Sequence, residues 1–128
     1  MSEYTEQCAV FRWAEIMTHK HPELKFLNAS QNGVWMRNKQ HAVNALRAGL
    51  RPGHPDINLP VGRGGYFGLY IEMKYGKNEP TNDQLEWLHF LANEGYLCFC
   101  IWGAKGAINE IENYLKKTPT KKGVLHAD

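Results

Sequence analysis

Apolar positions recur along the chain with two periods, and the change from one to the other marks out its elements. Ala9, Val10, Trp13, Ile16 and Met17 repeat at the 3.6-residue spacing of a helix face. They predict a helix over 5–18 that ends at His19–Pro22. The polar cluster Asn28-Ala29-Ser30-Gln31-Asn32-Gly33 predicts a turn, and Val34-Trp35-Met36 a short strand after it. His41 to Ala48 reads as a short helix with Gly49 in the C-terminal cap position. A rigid loop, Arg51-Pro52-Gly53-His54-Pro55, leads into a strand that opens at Asp56. Gly62-Arg63-Gly64-Gly65 is a tight connection of the hairpin kind, and Tyr66 to Met73, aromatic and branched, is the strongest strand pattern in the chain. Thr81 to Glu94 predicts a helix with Leu85, Leu88, Leu91 and Ala92 along one face and Gly95 as its stop. The unbroken apolar run Tyr96 to Ile101 fits a central strand buried on both faces. A last helix over 105–115 turns Ala107, Ile108, Ile111 and Leu115 inward. The order of elements is that of an α/β layer fold, a small mixed β-sheet flanked by α-helices. Beyond residue 115, Lys116, Lys117, Lys121 and Lys122 make a basic tail that reads as flexible.

Composition narrows this picture. The 128 residues make one domain, assigned to 1–115, with no room for a separate cofactor domain; no organic cofactor is expected. With 43% hydrophobic and 22% charged residues, disorder is excluded as the main state. No apolar run reaches the length of a membrane span, and the acidic start, with Glu3 and Glu6, is unlike a secretory signal. Cys8, Cys98 and Cys100 are odd in number and contain no CxxC pair, which argues against a disulfide framework and a structural zinc site. A reducing cytoplasm is the expected compartment. The net charge of +2 neither demands nor excludes nucleic acid, so the placement of charge has to decide.

That placement singles out Pro55-Asp56 and Glu72-Met73-Lys74. Glu72 and Lys74 are two apart on a strand and share a face. If the two strands pair through the Gly62–Gly65 turn, Asp56 joins them at one end of the sheet. Two carboxylates at close range raise each other's pKa unless a cation intervenes. Mg²⁺ takes one or two carboxylates and keeps several waters, and such an ion activates water against a phosphodiester. An ammonium beside it, Lys74, can orient the attacking water. Glu6 falls on the apolar stripe of the first helix, an unusual place for a charge without a partner or a metal, although at a first helical turn it also suits the helix dipole. Glu3, at the stripe's edge, is the competing candidate.

Gly53-His54-Pro55-Asp56, then Gly65-Tyr66-Phe67-Gly68-Leu69-Tyr70-Ile71-Glu72-Met73-Lys74, Pro80-Thr81-Asn82-Asp83-Gln84-Leu85-Glu86-Trp87 and Gly95-Tyr96 together resemble the virus-type replication-repair nuclease (VRR-NUC) family, of the PD-(D/E)XK, restriction-endonuclease-like superfamily. The opening Glu6-Gln7 through Phe11-Arg12-Trp13-Ala14 is similar to its small stand-alone phage forms, and the resemblance runs over about 3–115. It implies that Asp56, Glu72 and the backbone carbonyl of Met73 hold Mg²⁺ or Mn²⁺. Lys74 positions the nucleophilic water, a first-helix glutamate (Glu6 favoured, Glu3 open) completes the catalytic set, and Gln84 sits beside it. Asn32-Gly33 resembles the family's asparagine-glycine segment near the site. Two departures stand out: His54 where a small apolar residue is expected, and Gln31 where proline is expected. The implied activity is a metal-dependent DNA endonuclease, a homodimer acting on branched DNA such as four-way junctions. A non-cleaving DNA-binding module and a sequence-specific restriction enzyme are the alternatives.

Each residue also has a plainer reading. Asp56 suits a turn after proline, and Glu72 with Lys74 suits an exposed cross-strand ion pair of little energetic weight. Thr81-Asn82-Asp83-Gln84 is a capping box in which Gln84 reaches back to the helix start. Trp13, Trp35, Trp87 and Trp102 read as core or dimer surface, and the tail lysines as either a solvated segment or a phosphate contact. Arg37, Lys39, Arg47, Arg51, Arg63 and Lys77 surround the acidic residues in sequence and are expected to form a basic DNA-binding rim.

Overall fold

The computed structural model of the chain describes residues 1–30 and 39–127. The expected strand Val34-Trp35-Met36, Gln31, the Asn32-Gly33 segment and Arg37 lie outside the described residues. Helix α1 (Glu3–Met17) opens on Ser2, whose hydroxyl accepts from the Thr5 N–H at 3.2 Å while the Thr5 hydroxyl accepts from the Ser2 N–H at 2.9 Å. This capping box sets the helix start two residues ahead of the start read from the apolar stripe, which begins only at Ala9. A 3₁₀ turn (Pro22–Phe26) follows, then β1 (Asn28–Ala29), α2 (Lys39–Arg47), β2 (Ile57–Leu59), β3 (Leu69–Lys74), α3 (Asn82–Asn93), β4 (Leu97–Trp102) and α4 (Ala104–Leu115).

The described strands form one sheet in the order β1-β2-β3-β4, with β1–β2 and β2–β3 antiparallel and β3–β4 parallel. Pleating sends alternate residues of β3 to opposite faces. Leu69, Ile71 and Met73 join Ile57 and Leu59 of β2 against Val10 and Ala14 of α1 and Ala107, Ile111 and Tyr114 of α4; all are buried and constitute the core. The opposite face carries Tyr70, Glu72 and Lys74. There Tyr70 meets the His54 ring edge-on at 5.8 Å, and His54 meets Trp87 of α3 at 4.8 Å. The sheet thus has α1 and α4 on its apolar side and α3 on its polar side.

Two expectations need correcting. The run at 96–101 is not the central strand. β4 lies at the edge of the described sheet with its residues half-buried, and β3 is the enclosed strand. An edge strand covered by a helix on each face, here α3 and α4, needs the same apolar pattern as a central one. The cluster read as a turn at 28–33 begins with β1, where Asn28 pairs with Asn58 and Ala29 with Ile57. Two residues are too few to display an alternation.

At the far end of the hairpin the chain is latched to α4. The buried Tyr114 hydroxyl donates to the Val61 carbonyl at 2.6 Å and accepts from the Arg63 N–H at 3.2 Å. The segment after α4 is also attached here. Gly64 N–H donates to the Thr118 carbonyl at 2.6 Å, Thr120 N–H to the Gly62 carbonyl at 3.2 Å, and the Thr120 hydroxyl to the Tyr66 carbonyl at 2.6 Å. Among the described residues no helix is long and apolar enough to cross a membrane.

Candidate active site

The register of the hairpin builds the site. Ile57 lies opposite Ile71, so one step further Asp56 lies opposite Glu72 on the polar face, at cross-strand side-chain distance. β2 begins only at Ile57, which leaves the next β3 amide without a strand partner. The Asp56 carboxylate takes its place, with Oδ2 accepting from the Met73 N–H at 2.8 Å. The Asp56 carbonyl accepts from the Ser30 N–H at 2.9 Å. Its approach is equally constrained. Gly53 has φ +86°, and a Cβ there would come within 2.6 Å of the Asp83 carbonyl carbon. Only glycine lets the loop close on the first turn of α3 in this way. Pro55 is fully buried behind it.

Glu72 is 1% exposed. Its Oε2 accepts from Gln84 Nε2 at 3.3 Å and lies 3.7 Å from Lys74 Nζ, while among the described residues no hydrogen-bond donor reaches the buried Oε1. Burial pushes the Glu72 pKa up to about 9, helped by a hydrogen bond shared with Asp56 and by the Asp56 charge; Lys74 pulls the other way. Without a cation, the pair favours holding a proton. Lys74 is itself 5% exposed. Its Nζ sits between Glu72 and Glu3, with Glu3 Oε1 at 3.9 Å. Glu3 Oε2 accepts from Asn78 Nδ2 at 2.7 Å, and the Asn78 carbonyl accepts from the Trp102 indole at 2.9 Å. The anchoring role of Asn78 has no sequence signal; it depends on the loop after β3 folding back over the start of α1.

Gln84 is placed at both the helix cap and the acidic centre. Its Oε1 accepts from the Thr81 N–H at 2.9 Å, closing the capping box of α3, while its Nε2 turns to Glu72. The two ends of one amide join a helix start to the acidic centre.

These groups border a cleft of about 420 Å³. Glu3, Asp56, Glu72 and Gln84 line it on one side, and Leu46, Leu50 and His54 on another. His54 Nδ1 lies 3.1 Å from the Pro55 carbonyl, so the residue that departs from the family pattern both borders the cleft and packs into the aromatic cluster with Tyr70 and Trp87. Among the described residues no group of three His, Cys, Asp or Glu side chains forms a ready-made metal cluster. The cleft instead offers three carboxylates, Glu3, Asp56 and Glu72, the last with a buried oxygen that lacks a partner among the described residues, and that suits a hard divalent ion that retains waters. The Met73 side chain is committed to the core, so only its backbone can serve the cleft.

The structure brings Glu3, rather than Glu6, to this cleft. Glu6 Oε1 lies against Gly103 at the β4–α4 junction, 3.7 Å from where a Cβ would stand, and does not border the cleft. Helix α1 meets the end of the sheet with its first turn, so reach beyond the strand ends selects the residue. Lys77 is exposed in the loop directly after β3, and Lys39, Arg47 and Arg51 are exposed on α2 and the loop after it. Arg51 Nη1 donates to the Leu46 and Leu50 carbonyls, each at 3.1 Å. Arg63 is not part of this rim. It sits in the hairpin turn at the opposite end of β2 and β3 and pairs with Glu23 at 2.7 Å. Nearness in sequence to both acidic residues put it on the rim, whereas a hairpin turn lies a strand's length from the strand ends.

A family profile described as the VRR-NUC domain matches residues 5–104. The chain belongs to the VRR-NUC family. Among solved structures it is similar to a protein described as a VRR_NUC domain protein, with a TM-score of 0.80 and 28% identity over 94% of this chain and 93% of that one. No functionally curated protein matches. The architecture is therefore an α/β, nuclease-like VRR-NUC domain, from a nuclease-type family for which DNA is the implied substrate.

Proposed function

We propose that this VRR-NUC domain is a divalent-metal-dependent DNA endonuclease that hydrolyses phosphodiester bonds and prefers branched DNA such as four-way junctions. The observation that carries the reading is the buried Glu72, opposite Asp56, with one oxygen unpartnered among the described residues and an ammonium on the same face. Asp56, Glu72 and the Met73 carbonyl would hold Mg²⁺ or Mn²⁺. The ion supplies positive charge at the scissile phosphate and lowers the pKa of nearby water. Lys74 orients the attacking water and opposes the growing negative charge on phosphorus. Water oxygen bonds to phosphorus as the bond to the 3′ oxygen breaks. That oxygen takes up a proton, which leaves 5′-phosphate and 3′-hydroxyl ends. Gln84 fixes the Glu72 carboxylate, and Glu3 takes the first-helix position in preference to Glu6, because it borders the cleft and reaches Lys74.

Arg51, Lys39 and Lys77 attract the backbone towards the cleft. The protein works as a homodimer, since two-fold symmetry presents two centres to a substrate with two equivalent strands. The three free cysteines agree with a reducing cytoplasm.

Purified protein incubated with linear, nicked, flap and four-way DNA should cleave in Mg²⁺ or Mn²⁺, and not in EDTA. Lys74→Ala should lower cleavage by at least about 10²-fold while DNA binding persists. Binding with no metal-dependent cleavage on any substrate would instead make this a DNA-binding module. Cleavage of plain duplex at one sequence would make it a restriction-type enzyme.

A further inference from the structure

The hairpin turn at the end of the sheet remote from the cleft carries a cationic surface that the catalytic reading does not use. Lys116, Lys117, Lys121 and Lys122 are all exposed, and among the described residues none of them makes an ion pair. Four like charges in seven residues would ordinarily be a solvated, wandering segment. Here the segment is fastened. Thr118 and Thr120 make the three hydrogen bonds to Gly64, Gly62 and Tyr66 described above, and Pro119 pairs across to Arg63 as an isolated bridge.

The turn is also shaped to receive it. A Cβ on Gly62 would lie 2.8 Å from Thr120 Cβ, and one on Gly64, at φ +61°, would lie 2.8 Å from Lys117 Cδ. Both glycines leave room for the strap to lie flat on the turn, and the Lys117 stem crosses Gly64 directly. Tyr114 ties the same turn to α4. The one arginine in this region is already neutralised by Glu23, so the net positive field comes from the strap. A cleft of about 290 Å³ lies between the turn and the strap, with Lys121 and Lys122 on its border.

We propose that this fastened lysine strap is a second DNA contact, one that grips the phosphodiester backbone of the substrate at a distance from the cut. The cations around the cleft share that end with Glu3, Asp56 and Glu72, whereas among the described residues the strap lysines make no ion pair with a carboxylate. Cations held in fixed positions at the other end supply attraction without entropy lost in ordering a loose chain. The inference rests on DNA being the substrate, but not on cleavage.

The test measures binding of the full chain to a labelled linear duplex and a labelled four-way junction in EDTA, across 50–200 mM salt, for the natural protein and for Lys121→Ala/Lys122→Ala. Each phosphate contact contributes about 0.9 to the log–log salt slope. Loss of two contacts should flatten the slope by about 2 and shrink the affinity lost between those salt concentrations by about tenfold. The metal-dependent cleavage rate at saturating DNA should stay as in the natural protein. Thr120→Val, which keeps every lysine but removes the hydroxyl bond to Tyr66, should weaken binding at 50 mM salt severalfold. An unchanged slope and affinity in the double variant, with its circular dichroism intact, would overturn the strap. A protein that binds with the expected slope change but never cleaves would leave the strap standing and remove the nuclease reading.

Discussion

Glu72 is the residue on which the physical chemistry concentrates. A carboxyl group 1% exposed and facing a second carboxyl loses far more by ionising than it would in water. Its pKa is raised to about 9, so the folded protein binds a proton that the unfolded chain releases near pH 4.5. Stability from this source is complete below that lower pH and is lost as pH climbs towards 9. In EDTA the melting temperature should therefore fall over this range, with a slope of up to about 1.4 kcal/mol per pH unit. Glu72→Gln should flatten that dependence and melt higher than the natural protein at pH 8. Calorimetry at pH 5, 7 and 9 checks it, and parallel curves for the two proteins would refute the assignment. Mg²⁺, which takes the place of the proton, should raise the melting temperature of the natural protein more at pH 8 than at pH 5.

Elements deliver these side chains through their ends. β2 begins one residue after Asp56, β3 runs out through Glu72 to Lys74, α1 begins at Glu3, and α3 begins with Gln84 in its first turn. A helix start and a strand end are both places where backbone groups lack regular partners, and here side chains of the site supply them. Thr81 and Gln84 make it possible to separate capping from chemistry. Thr81→Ala should cost about 1 kcal/mol through the lost cap and leave cleavage nearly unchanged, because the amide still reaches Glu72. Gln84→Ala should cost a similar amount and also depress cleavage about tenfold or more. Equal cleavage by the two variants, measured beside their melting temperatures, would confine Gln84 to capping.

Across the whole molecule, charge is unevenly placed. Three carboxylates converge at the cleft end of the sheet beneath an exposed basic rim, and the lysine strap lies at the other end, so a net charge of +2 conceals an uneven field. Phe90 and Phe67 are each more than half exposed, as are Ile16 and Phe26. The proposed homodimer predicts a mass in solution twice the 14.7 kDa of the chain. Sedimentation equilibrium over a dilution series checks this, and a single monomeric mass at all concentrations would remove the two-centre geometry.

The pairing of Glu72 with Lys74 was written in the sequence, because a two-residue period on a strand leaves no other choice of face. Asp56 joined them through a hairpin whose glycines announced the turn, and Gln84 through a capping pattern fixed at three residues' spacing. These are local rules, and local sequence suffices for them. The remainder depended on where elements end in space. Whether Glu3 or Glu6 reaches the cleft turns on how α1 overhangs the sheet, and Arg63 lies far from the acidic pair because a strand's length intervenes. The enclosed strand is β3 rather than the more apolar β4, because burial is conferred by neighbours and not by a strand's own composition. Long-range packing decided those points, and no short stretch of residues contains it.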